Sequence, residues 1–273
     1  MRRPAWAPEG IPLDRPSPAR IYDYNLGGYH NFEADRMVAE QLNAVHPDMA
    51  LNSRVLRAFL RRVVRFLVAQ GIDQFVDLGS GIPTVGNVHE VAQGANPAAR
   101  VVYVDIDPIA VAHSKAILAD NPDADAIQAD LAEPDDILGH PVVKDLIDFS
   151  RPVGILMLGV MHFVLEDERA YDAVRTFRDV AVPGSYMAIS QMSLEQVPSE
   201  TADTLRQITA RSQIPTKMRS YAETMQFFER LELVEPGLVS PPLWRPEGPD
   251  DLLLNQPERV LGWGGVGRKP GDR

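Results

Sequence analysis

The stretch Gln74-Phe75-Val76-Asp77-Leu78-Gly79-Ser80-Gly81-Ile82-Pro83-Thr84 constrains this chain more than any other. Phe75 and Val76 close a short apolar run of strand type, after which come an acid, a leucine and two glycines one residue apart. Glycines at such a point let the backbone turn sharply and approach a ligand with no Cβ in the way. Thr84 is a suitable N-cap for a helix predicted from about Val85 to Gln93. The N–H groups and positive dipole end of such a helix favour anionic ligand groups. Many α/β proteins turn from strand to helix on glycine, so this turn gains its weight from the strands downstream of it.

Arg100–Val104 reads as a second buried strand, closed by Asp105-Ile106-Asp107-Pro108. An acid at the tip of strand two, about 20–30 residues after the glycine turn, is placed to accept hydrogen bonds from a ribose diol. Asp107 reads instead as a helix cap, with Pro108 at the first helical position. A third strand, Ala126–Ala129, runs into Asp130-Leu131. Three successive strands thus carry an Asp at the carboxyl end, where open parallel sheets bind ligands.

The remaining segments continue the alternation. Helices are predicted at 33–43, 51–69, 109–118, 142–149, 166–180, 199–212 and 222–231, from apolar spacing and capping residues. Val153–Leu158 and Tyr186–Ser190 read as strands four and five, with Leu233–Val234 and Arg259–Gly262 as the last two. In the 51–69 helix Val55, Leu56, Phe59, Leu60, Val63, Phe66 and Leu67 form an apolar stripe. Arg54, Arg57, Arg61, Arg62 and Arg65 are expected to be its solvated face. The glycine-rich end Gly262–Gly267 is no phosphate loop, because neither Lys-Ser/Thr nor a helix comes after it at the needed spacing. Strand–helix alternation of this kind gives a parallel sheet with helices on both faces. Residues 1 to about 19, with five prolines, read as an extended arm. Tyr22, Tyr24, Gly27, Gly28, Tyr29, His30 and Phe32 then form an aromatic, glycine-containing loop, either packed on the core or closing over a ligand.

These residues resemble the first three motifs of class I S-adenosylmethionine-dependent methyltransferases: Asp77-Leu78-Gly79-Ser80-Gly81, Asp105 and Asp130. Ser17-Pro18-Ala19-Arg20-Ile21-Tyr22-Asp23-Tyr24, Leu26-Gly27-Gly28, Asn87–Ala92 and Trp244-Arg245-Pro246 are similar to an actinobacterial branch, the "S-adenosyl methyltransferase" domain family formerly of unknown function. The resemblance implies a doubly wound, mostly parallel, Rossmann-like sheet of seven strands with an N-terminal helical cap. It implies residues 1–50 as arm and lid, and 51–273 as one methyltransferase-like unit. It also implies S-adenosyl-L-methionine as cofactor and S-adenosyl-L-homocysteine as product, with a small-molecule acceptor that it does not name. Tyr22, Asp77, Gly79, Ser80, Gly81, Asp105, Ile106, Asp130, Leu131 and Gly159 would then hold the cofactor. Asp77 would lie beside the methionine half, and Asp130 would meet the adenine amino group.

His162, just past strand four, would border the transferred methyl group, either as a base or as a hydrogen-bonded part of the wall. As a base of ordinary pKa near 6.5, it would make activity rise with pH through that value. The other five histidines show no metal-ligand spacing, so no metal is expected, and His89 reads as structural.

Composition narrows the alternatives. A net charge of −11 speaks against a phosphate-tracking nucleic-acid surface and against anionic lipid. There is no cysteine, so no disulfide framework, thiolate metal site or Cys nucleophile, which fits the cytoplasm. No apolar h-region comes after Arg2-Arg3, and the longest apolar run, Val153–Leu165, is too short to span a bilayer. An NAD-dependent oxidoreductase would want a third glycine where Thr84 stands. An aminopropyltransferase would want an acidic cluster near strand four, which is missing from the sequence. A regulatory protein that binds S-adenosylmethionine without catalysis remains a third alternative, and no oligomeric state is indicated.

Overall fold

The computed structural model describes residues 12–83, 86–211 and 214–271. Five parallel strands form its centre: β1 (Gln74–Leu78), β2 (Arg100–Asp105), β3 (Ala124–Gln128), β4 (Gly154–Leu158) and β5 (Tyr186–Gln191). Two more, β6 (Glu232–Leu233) and β7 (Trp263–Arg268), complete the sheet in the order β3-β2-β1-β4-β5-β7-β6, with β7 antiparallel to both neighbours. The order reverses between β1 and β4, which opens a crevice at their carboxyl ends.

Side-chain alternation sorts each central strand onto two cores. Val76, Leu78, Val102, Val104, Ile155 and Met157 face one side, packed by α6 (Pro134–Gly139), α7 (Pro141–Leu146), α8 (Asp167–Val180) and α10 (Tyr221–Gln226). Phe75, Val101, Tyr103 and Leu156 face the other, packed by α3 (Met49–Ala69), α4 (Val88–Ala95) and α5 (Pro108–Ile117). Asp77 lies two residues after Phe75 and so turns towards α3. A third apolar cluster joins α1 (Pro18–Asn25), α2 (Glu33–Val45) and α9 (Ser199–Arg211) over the carboxyl end of the sheet. Among the described residues, no helix is long and apolar enough to cross a membrane.

Several expectations from the sequence need correction. Thr84 lies outside the described residues, and α4 begins only at Val88, where the Glu90 carboxylate accepts from the Gly86 and Asn87 N–H groups (2.7 and 2.8 Å). Residues 18–25 are a helix, not a loop: Ser17 and Pro18 start it, and Gly27 and Gly28 lie just beyond its end. A short α6 precedes the 142–149 segment, and α10 ends at Gln226. The last strand is Trp263–Arg268, not 259–262, so the glycine run forms part of the sheet. Glycine is needed there for space: a Cβ on Gly264 would sit 3.0 Å from Phe59, and one on Gly267 would sit 2.8 Å from Leu231.

The arginines of α3 are not all solvated either. Arg62 stands three residues after Phe59 and four before Phe66, hence on the apolar stripe, and is buried. Its guanidinium donates to Trp244 O (3.0 Å) and Pro241 O (2.8 Å), fastening the proline-rich loop over the aromatic edge of α3. Arg62→Met should leave Trp244 O without a donor and Pro241 O with only the Trp244 N–H (3.2 Å), and cost about 1–3 kcal/mol of stability. Chemical denaturation measures it, and an unchanged midpoint would mean that the loop is held by apolar packing alone.

Candidate active site

The crevice between β1 and β4 opens into a cavity of about 500 Å³. Its floor is the turn after β1. Gly79 has φ +73°, and a Cβ there would stand 2.2 Å from Val160, so the turn presses directly on the exit of β4. The Gly79 N–H donates to Val104 O (2.8 Å), and the Gly81 N–H donates to the Asp105 carboxylate (2.7 Å). That carboxylate also accepts from the Asp107 N–H (2.8 Å), which fixes it at the cavity edge. Asp107 itself caps α5 through the Ile109 N–H (2.8 Å), as its place before Pro108 suggests.

Every expected site residue lines this one space: Tyr22, Asp77, Gly79, Ser80, Gly81, Asp105, Ile106, Asp130, Leu131, Gly159 and His162. They differ in setting. Asp77 and Asp105 are buried, whereas the Asp130 side chain is 40% exposed and lies 3.7 Å from Arg169, its Oδ1 accepting from the Ala132 N–H (2.9 Å). Tyr22, on α1, donates its hydroxyl to Ser53 O (2.9 Å). Helix α1 is held down by Arg20, whose buried guanidinium pairs with Asp35 (2.9 Å) and Asp107 (3.2 Å), and by a hydrogen bond from the Ser17 hydroxyl to Asp107.

One wall residue was missed by sequence reasoning. Arg57 is buried on α3, with its guanidinium 5.7 Å from the Tyr22 ring and its Nε without a hydrogen-bond partner. The available signal was its place three residues before Leu60, at the border of the apolar stripe rather than opposite it.

Burial dominates the electrostatics. It pushes the Asp77 carboxyl up to about 7, against the pull of Arg57, and the Asp105 carboxyl up to about 6, against its backbone donors. Two acids stripped of water in this way favour a ligand that brings cationic groups and hydrogen-bond donors. For His162 burial acts in the opposite direction: together with the nearby Arg219 it lowers the imidazole to about 3. Arg219 is itself buried and donates to Met161 O (2.9 Å) and Val164 O (2.8 Å), holding the His162 turn in place. His162 Nδ1 is buried without a partner. With the imidazole lowered this far, no titration of His162 near pH 6.5 is expected in the protein without cofactor. Among the described residues, no group of three or more His, Cys, Asp or Glu is placed to hold a metal.

Residues 4–270 match the S-adenosyl methyltransferase family. A crystal structure of a candidate methyltransferase from Thermobifida fusca is 42% identical, covers 98% of this chain and all of its own, and has a TM-score of 0.92. A DUF574 family protein from Streptomyces avermitilis is 36% identical over 95% of this chain and all of its own, with a TM-score of 0.88. An O-methyltransferase family protein from Burkholderia thailandensis shares the fold alone: 12% identity over 82% of this chain and 60% of its own, TM-score 0.52. No curated protein matches. The chain belongs to the S-adenosyl methyltransferase family, and its cofactor is accordingly S-adenosylmethionine. The cavity suits that group, since the buried Asp77 and Asp105 carboxyls and the Arg57 guanidinium, whose Nε has no partner, line it together.

The raised Asp77 pKa has a measurable consequence for the protein without cofactor. Between pH about 4 and 7 the unfolded chain has lost a proton that the folded chain keeps, so stability falls as pH rises through that window. Asp77→Asn should remove the Asp77 share of this decline, adding up to roughly 4 kcal/mol at pH 8 and almost nothing near pH 4, and leave the smaller fall up to pH about 6 that Asp105 contributes. Melting curves across pH decide it, and a parallel decline in wild type and variant would refute the assignment. For His162, the imidazole C2 proton should keep a constant NMR shift from about pH 5 to 8, with His162→Gln identifying the signal. A midpoint near 6.5 would show an ordinary, solvated ring.

Proposed function

We propose that this chain transfers the methyl group of S-adenosylmethionine to a small-molecule acceptor, within the cavity at the carboxyl edge of β1 and β4. The observation that carries this reading is the meeting, in one cavity, of three strand-end aspartates, the glycine turn and His162 in a chain of this family. Asp105 would accept from the ribose diol, with Ile106 and Leu131 flanking the adenine and Asp130 reaching its amino group. Asp77 would face the α-ammonium group. Arg57 would take the α-carboxylate, the missing partner for its Nε. Gly79, Ser80, Gly81 and Gly159 would let backbone run beside the cofactor, and Tyr22 would close that side from α1, with residues 1–50 as the cap.

Bound there, the cofactor would supply an activated methyl group, transferable to a lone pair of the acceptor with the carbon–sulfur electron pair left on sulfur and any proton of the acceptor atom lost to solvent. The protein's share is alignment in a space shielded from water. His162 contributes a neutral, fixed ring that orients the acceptor rather than removing its proton. The acidic surface and Cys-free composition support a small-molecule role in the cytoplasm over a nucleic-acid or membrane partner.

Asp105→Ala tests the assignment by calorimetry with S-adenosylhomocysteine. Loss of a charge-assisted hydrogen bond costs about 1.5–3 kcal/mol, so affinity should fall roughly 10- to 150-fold, and NAD should not compete in the wild type. Wild-type affinity in the variant, or preference for NAD, would sink the reading.

A further inference from the structure

Charge is distributed unevenly around the cavity. Apart from His162, the ionisable wall residues Tyr22, Arg57, Asp77, Asp105, Asp107 and Asp130 all come from α1, from α3 or from the exits of β1, β2 and β3. The opposite half is built by the exits of β4 and β5, by α9 and the stretch from 214 to 218, and by 260–263. Among the described residues lining that half, none is charged. Its walls are carbon: Phe163, Met192, Leu205, Ile214, Met218 and Leu261, continuous with the apolar cluster that joins α1, α2 and α9.

Polar capacity there is small and partly unused. Gln191 is committed, its amide donating to Met192 O and Lys217 O (both 2.9 Å) and its carbonyl accepting from Arg219 (3.3 Å). Two other atoms of the lining are buried without a partner, His162 Nδ1 and Thr216 Oγ1. His162 is 5% exposed and uncharged. A wall of this kind cannot compensate an ion taken out of water, yet it leaves one or two hydrogen bonds unmade.

We infer that the methyl acceptor is an uncharged, largely apolar small molecule, seated between the β4–β5 exits and the α9 roof, with one polar group beside His162 and Thr216. The inference rests on the methyl-transfer reading above and names the substrate class for the same site. It also excludes a polyamine, for which this half offers no carboxylate.

The test uses two probes of one skeleton, N-phenyl-naphthylamine, which is neutral, and anilinonaphthalene sulfonate, which adds a single negative charge. Both gain fluorescence in an apolar site. The full chain is first saturated with S-adenosylhomocysteine, whose own affinity is read by calorimetry. The neutral probe should bind the loaded protein, and the sulfonate should bind about tenfold more weakly or worse. Thr209→Lys places an ammonium on the half-buried wall of α9, where it can reach solvent along the helix. It should invert that preference while leaving S-adenosylhomocysteine affinity within about twofold, which also reports that the variant is folded. Equal or tighter binding of the sulfonate by the wild type overturns the inference, as does failure of the neutral probe to bind the loaded protein. Failure of S-adenosylhomocysteine itself to bind overturns the cofactor reading beneath it, a result distinct from either.

Discussion

A sheet covered by helices on both faces can present polar chemistry only at its ends, and the rest of this molecule depends on that constraint. The five parallel strands bury their side chains in two apolar cores, so the acids of β1 and β2 sit at or just before the last residue. The order reversal between β1 and β4 parts the connections there and leaves a gap in the end of the sheet. Gly79 allows the gap to be narrow, because the backbone of one turn rests on Val160 of the other. This placement brings together the carboxylates, the buried Arg57, whose charge acts on Asp77, and the His162 turn beyond β4.

The electrostatic contrast across the cavity comes from burial acting on different residue types. Desolvation raises carboxyls and lowers imidazoles, so one dry environment makes Asp77 ready to gain from a cation and holds the His162 ring towards its neutral form. One end of the cavity is thus tuned by fixed groups awaiting their counter-charges, and the other by the absence of charge. In-line methyl transfer suits that division, since it needs an anchored donor and an acceptor free to approach.

Much of this was legible in the sequence, for identifiable reasons. Strand ends carry their own punctuation, so Asp77, Asp105 and Asp130 could be placed from an apolar run ending in an acid and a turn. Asp107 could be read as a cap because Pro108 leaves little other use for it. What escaped were features set by distant packing. Arg57 and Arg62 look like their solvated neighbours until the loops of the C-terminal half and α1 are laid over α3. The final strand hid in a glycine run because its side-chain positions are filled by Phe59 and Leu231 from other elements. Helix α1 hid behind its aromatic residues, and the Arg20 pair that anchors it needs Asp107, 87 residues further along. The pKa of His162 could not be read at all, since it depends on Arg219 and on full enclosure.

The sealing of the cavity has a consequence for how the chain is made. Asn52 donates its side-chain amide to Arg259 O (3.1 Å) across 207 residues and accepts from the Leu261 N–H (2.7 Å), while Arg259 pairs with Asp48. During synthesis from the N-terminus, α1, α2 and α3 emerge together and can pack on one another, whereas α9 and the segment that closes the wall come late. The apolar residues of α1 and α2 that meet α9 stay uncovered until that helix has emerged. The cavity is therefore closed only once the ribosome has delivered both α3 and the 259–261 segment that seals it.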